Sequence, residues 1–113
     1  MKQEISFEDF NKVDIRIGTI IEVNDFPKAH KPAYQLTIDF GELGRRKSSA
    51  QITELYSKEE LLNKQIVAII NFQKKQISNF LSEILILGIE NNQNKIVLLQ
   101  ASKKNLINGE QVN

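Results

Sequence analysis

Apolar and polar residues alternate along three stretches of the chain and cluster in a fourth. Between Val13 and Val23 the apolar residues Val13, Ile15, Ile17, Ile21 and Val23 hold odd positions, while Asp14, Arg16, Gly18 and Glu22 hold even ones. A period of two sends alternate side chains to opposite faces of a strand, one toward a core and one toward water. Thr19 and Ile20 break the alternation next to Gly18, which predicts a bulge or sharp bend there. Tyr34, Leu36, Ile38 and Phe40 repeat the pattern in a second strand. A third runs from about Lys47 to Ile52, with Ser48, Ala50 and Ile52 on one face and Lys47, Ser49 and Gln51 on the other. The run Ile66 to Ile70 is apolar throughout and rich in β-branched residues, which predicts a strand buried on both sides. Ile84–Ile89 and Ile96–Leu99 read as two more strands, joined as a hairpin by the turn-rich residues Glu90 to Asn94.

The breaks between these stretches carry their own signals. Asn24 to Pro32 holds two prolines and an Asn-Asp pair, so it reads as a loop, and Gly41 and Gly44 bracket a turn. Ser6 with Asp9 suits the start of a short helix, in which Phe7 and Phe10 would share a face and pin that turn to the body. Ser57 with Glu60 makes a second capping box ahead of Leu61 and Leu62. Asn71 to Glu83 is polar and irregular, and Asn108-Gly109 marks a turn in the tail. Three strands, a helix and further strands in so short a chain suit an all-β domain with short helices. The expected architecture is the five-stranded Greek-key barrel of the OB-fold, with N- and C-terminal extensions. The last strand and the tail fall outside the minimal barrel and are candidates for a partner contact.

Length and composition narrow the possibilities without changing that picture. At 113 residues, with 41% hydrophobic and 26% charged residues, the chain suits a single domain over 1–113 with a real core. It contains no cysteine and one histidine, His30, which excludes disulfide scaffolds, thiolate metal sites and multi-histidine sites within one chain. No cofactor is expected. No apolar run is long enough for a membrane helix, and the acidic first ten residues do not resemble a secretory leader, so a cytoplasmic protein without membrane insertion is expected.

Charge is nearly balanced overall at +1 but uneven along the chain: residues 1–25 sum to −3 and residues 26–50 to +3. A local basic segment in a neutral chain suits a local anion-binding face rather than a global one. Catalysis is not expected. No G-x-S-x-G turn, Walker loop or dinucleotide fingerprint occurs, and the adjacent acids Glu8-Asp9 and Glu59-Glu60 are better read as helix-start charges than as a dyad. Binding is the better reading. Lys28, Lys31, Arg45, Arg46, Lys74 and Lys75 sit in or beside loops that a small barrel can bring to one rim, where they would neutralise phosphates. Ser49, Gln51, Asn71, Phe72 and Ser82 lie at strand edges and would line a pocket between them, with Phe72 available for stacking on a base.

Five segments occur in order: Val13 to Ile20 (VDIRIGTI), Gln35 to Gly41 (QLTIDFG), Ser48 to Thr53 (SSAQIT), Asn63 to Phe72 (NKQIVAIINF) and Ser82 to Gly88 (SEILILG). Together they resemble the CsaA family, which is built on the tRNA-binding domain also appended to methionyl-tRNA synthetases. The resemblance covers nearly the whole chain, and SSAQIT points to the CsaA branch. It implies an OB-fold, a homodimer and structure-dependent tRNA binding. It also implies a chaperone role in protein export, with a pocket for unfolded precursor peptides. On these expectations the dimer interface involves Ile84 to Leu87, Ile96 to Leu99 and the Phe7–Phe10 turn. The competing readings are a peptide-binding secretion chaperone without RNA binding, and a docking module for a synthetase.

Overall fold

The computed structural model describes residues 1–113. After a one-turn helix α1 (Phe7–Asn11) the chain forms β1 (Ile15–Asp25), β2 (Tyr34–Asp39) and β3 (Arg45–Ala50). A short helix α2 (Lys58–Leu61) leads into β4 (Gln65–Ile69). The small strands β5 (Lys75–Ile77), β6 (Phe80–Ser82), β7 (Leu85–Ile86), β8 (Gly88–Glu90) and β9 (Ile96–Leu98) complete the set. Five of them pair antiparallel in the order β3-β2-β1-β4-β7. The two edges then meet: the Glu83 amide donates to the Lys47 carbonyl at 2.8 Å, and the buried Ser48 hydroxyl donates to the Ile84 carbonyl at 3.3 Å. The result is a nearly closed five-stranded antiparallel barrel of the OB type, as the strand pattern predicts.

Both predicted capping boxes form. The Ser6 and Ser57 hydroxyls accept from the Asp9 and Glu60 amides, and the two carboxylates accept in return from the serine amides. α2 buries Leu61 completely, whereas no residue of α1 is fully buried: Phe7 is 77% exposed, and its ring centroid lies 6.1 Å from that of the partly buried Phe10. Of the aromatic pair expected to pin α1 to the body, Phe7 therefore does not, and only Phe10 is partly buried. The first segment is tied down instead by Asn71, whose amide group accepts from the Asp14 N–H (2.9 Å) and donates to the Lys12 carbonyl (2.7 Å).

The main core holds eleven buried residues, among them Ile20, Leu36, Ile38, Phe40, Leu61, Ile66 and Ala68. β1 enters it with the opposite parity from the expected one. Gly18 lies across from Ile66, and Ile20 across from Ile38, on the core side, so Ile15 and Ile17 lie on the other face opposite Ile69 and Val67, where Ile15 is half-buried and Ile17 is buried outside the main cluster. Gly18 is the reason: a Cβ there would stand 2.5 Å from Ile38 Cγ2 and 2.7 Å from the Phe40 ring, so only glycine lets the strand lie against those two side chains. The bulge falls between Ile20 and Glu22, later than predicted, and it restores Val23 to the core. The β4 run is likewise buried on one face only. Ile66 and Ala68 are inaccessible, while Val67 and Ile69 are partly exposed on the outer face beside Ile15 and the 46% exposed Leu85.

Two further differences concern segments outside the regular alternation. The stretch expected to be irregular contains the β5–β6 hairpin, turning at Ser78 with φ 53°. The tail, expected outside the minimal barrel as a candidate for a partner contact, is bound along β1: Ile17 and Val112 donate to Glu110 and Ile15, and Gly109 donates to Ile17. It covers the part of β1 that β2 does not reach. Gly109 has φ 95° and lies so close to Phe40 that a Cβ would meet its carbonyl at 2.5 Å, so this return of the chain also requires glycine.

Candidate nucleic-acid interface

The β1–β2 loop and the β5–β6 hairpin are far apart in sequence and lie together in the fold. A second, separate hydrophobic cluster joins them: Phe26 and Ala33 from the loop pack on Phe80 from the hairpin, with Ala29 and Ile77 at its margin. The Phe26 and Phe80 rings are 5.5 Å apart and tilted by 56°, a favourable aromatic arrangement. Phe26 follows the end of β1, and Ala33 precedes β2, so both ends of the basic loop are anchored while Lys28, His30 and Lys31 stand exposed between them.

Beside this cluster lies an open cleft of about 570 Å³, with Ser49, Gln51, Phe72, Lys75, Ile77 and Ser82 among its lining residues. Four of the five predicted pocket residues therefore converge, together with one predicted phosphate contact, Lys75. Asn71 does not: its side chain is committed to Lys12 and Asp14. Phe72 is 53% exposed at the cleft, which leaves its ring face available, whereas Tyr34 is buried and its hydroxyl donates to the Tyr56 carbonyl at 2.8 Å. Ser82 is nearly buried and has a structural duty, since its hydroxyl accepts the Ser49 amide at 3.2 Å and so closes the barrel where no strand pairing does. Lys31 lines a neighbouring cleft of about 590 Å³ with Pro32, Thr53 and Lys95, and Gln51 is common to both.

The remaining basic residues divide by geometry. Successive strand residues face opposite sides, so Arg45 and Arg46 do not act at one site. Arg45, Lys47 and Ser49 form a row on the outer face of β3 that leads to the cleft, while Arg46 folds back to donate to the Arg45 carbonyl at 3.0 Å. Lys47 is the residue the motif reading left out, although the period of two already placed it with Ser49 and Gln51. Lys74 is neutralised by Glu83 at 3.6 Å, and the Glu83 carboxylate also accepts the Lys47 amide. Lys28, Lys31, Arg45, Lys47 and Lys75 have no carboxylate within ion-pair distance, whereas Lys58 pairs with Asp25 at 3.0 Å at the foot of the loop. That hydrogen bond and the Asp25 charge hold the Lys58 pKa above its ordinary value. The face thus carries a surplus of unpaired positive charge around a cleft with an exposed aromatic ring, an arrangement that can hold phosphates and stack a base.

Residues 15–111 match the family model described as "Putative tRNA binding domain". The chain belongs to the tRNA-binding domain family. Within this family it is similar over nearly its whole length to two solved structures. The CsaA chaperone protein from Picrophilus torridus shares 47% identity at a TM-score of 0.89, covering 97% of this chain and 100% of that one. Chaperone CsaA from Bacillus anthracis shares 45% at a TM-score of 0.91, covering 98% and 100%. The same domain occurs in larger proteins: methionine–tRNA ligase of Chlorobium chlorochromatii is 35% identical over 111 residues. The chain spans only 15% of that enzyme's length, so the enzyme's activity resides in a polypeptide far longer than this domain. The resemblance to the CsaA family is thereby confirmed.

Proposed function

We propose that this chain is a non-catalytic, cytoplasmic tRNA-binding protein that holds folded RNA on the face built by the β1–β2 loop, β3 and the β5–β6 hairpin. The observation that carries this reading is the Phe26–Phe80 cluster, which packs the basic β1–β2 loop against the β5–β6 hairpin, so that the cleft of Lys31 and the cleft of Lys75 adjoin at Gln51. Lys28, Lys31, Arg45, Lys47 and Lys75 contact phosphates, Phe72 stacks on an unpaired base, and Gln51 bonds between the two clefts. Arg46 and Lys74 contribute less, because one folds onto its own backbone and the other is already paired. With so few groups able to read base edges, recognition is of RNA shape and backbone. The test is a titration with bulk tRNA at two salt concentrations, with duplex DNA as competitor. Binding that weakens with salt and resists DNA supports the reading. Absence of binding at low salt refutes it.

The chain acts as a homodimer in this proposal. Ile15, Ile69 and Leu85 form one cross-strand row on the outer face of the sheet, and Ile89 and Val97 are 59% and 40% exposed nearby in sequence on β8 and β9. Ile84 and Leu98, expected at the interface, are buried in the core, so the outward-facing members of the same strands take that role. Light scattering at micromolar concentration should give twice the chain mass of 13.0 kDa. A monomer mass would remove the dimer.

A second reading has a specific observation in its favour. Phe72, Ile77, Ile84 and Leu85 line the same cleft and offer an apolar wall to an extended, unfolded precursor peptide. Two similar structures carry the name chaperone, and a role in protein export would follow from peptide capture. Salt separates the two: apolar peptide burial persists at salt concentrations that abolish phosphate contacts.

A further inference from the structure

At the opposite end of β4 from Phe72 lies another cleft, of about 560 Å³, between the α2–β4 turn and the tail. Gln65, at the start of β4, contributes to its wall. At about 3.3 Å per residue, this places it roughly 20 Å from the cleft that holds Phe72. Lys64, Lys103 and Lys104 surround it, and none of the three has a carboxylate within ion-pair distance. Lys64 is steadied by the Tyr56 ring, whose centroid lies 5.8 Å from its ammonium. Glu60 is the single acid at the cleft, and its carboxylate already accepts the Ser57 amide at 3.0 Å in the helix cap. The net charge at the cleft is positive.

The floor shows what kind of ligand this charge serves. The Thr19 hydroxyl donates to Asn108 Oδ1 at 2.7 Å. Gln65 Nε2 donates to the Leu106 carbonyl at 2.6 Å and to Asn108 Oδ1 at 3.2 Å, and Gln100 Nε2 donates to the Gln65 carbonyl at 3.1 Å. These amides are spent on fixing the tail to β1 and β4, so they are poorly placed to read base edges. The floor is polar and rigid, which does not suit an apolar partner. What remains free is three ammonium groups on flexible stems, which attract phosphate as point charges and without sequence preference.

We propose that this cleft is a second phosphate-binding surface for the same RNA, gripping the sugar–phosphate backbone at the far end of the barrel from the Phe72 cleft. The inference rests on the tRNA-binding reading and extends it. One face alone contacts a single side of a folded RNA. Two basic clefts at opposite ends of one strand contact it at two separated backbone segments, which selects for a folded shape over a short single strand. The tail contributes Lys103 and Lys104, so it takes part in binding through its side chains while its backbone completes the sheet.

The test compares the wild-type chain with Lys64→Gln/Lys103→Gln/Lys104→Gln and with the arginine triple variant at the same positions. Each is titrated with bulk tRNA over a range of salt after circular dichroism has shown the wild-type fold. At about 0.7 to 0.9 counterions per phosphate contact, loss of three contacts should flatten the log–log salt slope by about two to three. Affinity at moderate salt should fall about tenfold, and the arginine variant should keep the wild-type slope. A glutamine variant with the wild-type slope and affinity overturns the second surface and leaves the first face standing. An arginine variant that loses binding as the glutamine one does also overturns it, because charge is then not what the cleft supplies. Wild-type protein that fails to bind tRNA at low salt overturns both proposals together.

Discussion

Two hydrophobic clusters of unequal size do different work in this molecule. The barrel cluster has eleven buried members drawn from β1, β2, β4, α2 and the segments beside them, and it shares no member with the satellite cluster. The satellite cluster has three, and all of them belong to the two segments that frame the candidate site. The large cluster holds the fold and reaches the site only at Ile84, and the small one can arrange the site without being needed for the fold. Stability and binding are then separable properties, and substitutions in the two clusters should separate them.

The largest effect belongs to the barrel. Phe40 is fully buried and packs against the strand at Gly18, so Phe40→Ala should cost about 3–5 kcal/mol, read from the urea midpoint at constant slope. Next comes the satellite. Phe80→Ala should lower stability by less than Phe40→Ala, yet reduce tRNA affinity by roughly tenfold, equivalent to about 1.4 kcal/mol, because the hairpin and loop lose their common anchor. Hydrogen exchange should show lost protection in the hairpin while β1, β2 and β4 stay protected. An equal stability loss at both positions would merge the two clusters into one cooperative unit and end the comparison.

Smaller effects sharpen the boundary between them. Ser82→Ala removes the acceptor for the Ser49 amide at the barrel seam and should cost about 1 kcal/mol, the low end for a partly buried donor left unpaired. The smallest effect should come from Lys58→Gln. The Lys58–Asp25 pair lies in solvent, which screens it. Because the folded pKa of Lys58 is raised above 10.5, the pair's contribution is complete below that value and fades only as pH climbs through the folded pKa. The difference between Lys58→Gln and wild type should therefore be small and constant from about pH 7 to 9, measured by urea unfolding across that range. A difference that grows within this window would contradict the assignment.

The barrel was legible in the sequence wherever one face of a strand is apolar and the other is not, as in β2 and β3. It was misread where both parities carry isoleucine. In β1 the sequence offers Ile15 and Ile17 on one side and Ile20 on the other, and the choice is made by Gly18, which admits Ile38 and Phe40 to the core side. The β5–β6 hairpin escaped notice because its strands are three residues each and its turn uses Ser78 at positive φ rather than a glycine. Convergence of the basic loops on one rim was expected, but its cause was not. Phe26 and Phe80 sit in segments without periodicity, and nothing local marks them as partners. Adjacency in sequence also misled: Arg45 and Arg46 are neighbours along the chain and point to opposite sides of a strand.

The central claim is that the satellite cluster builds an RNA-binding face on a barrel that folds without its help. Titrating bulk tRNA against wild-type protein and Phe80→Ala, at one low and one moderate salt concentration, tests it most directly. The account predicts salt-sensitive binding by the wild type, roughly tenfold weaker binding by the variant, and barrel strands still protected from hydrogen exchange in both. Equal affinity for the two proteins would contradict it.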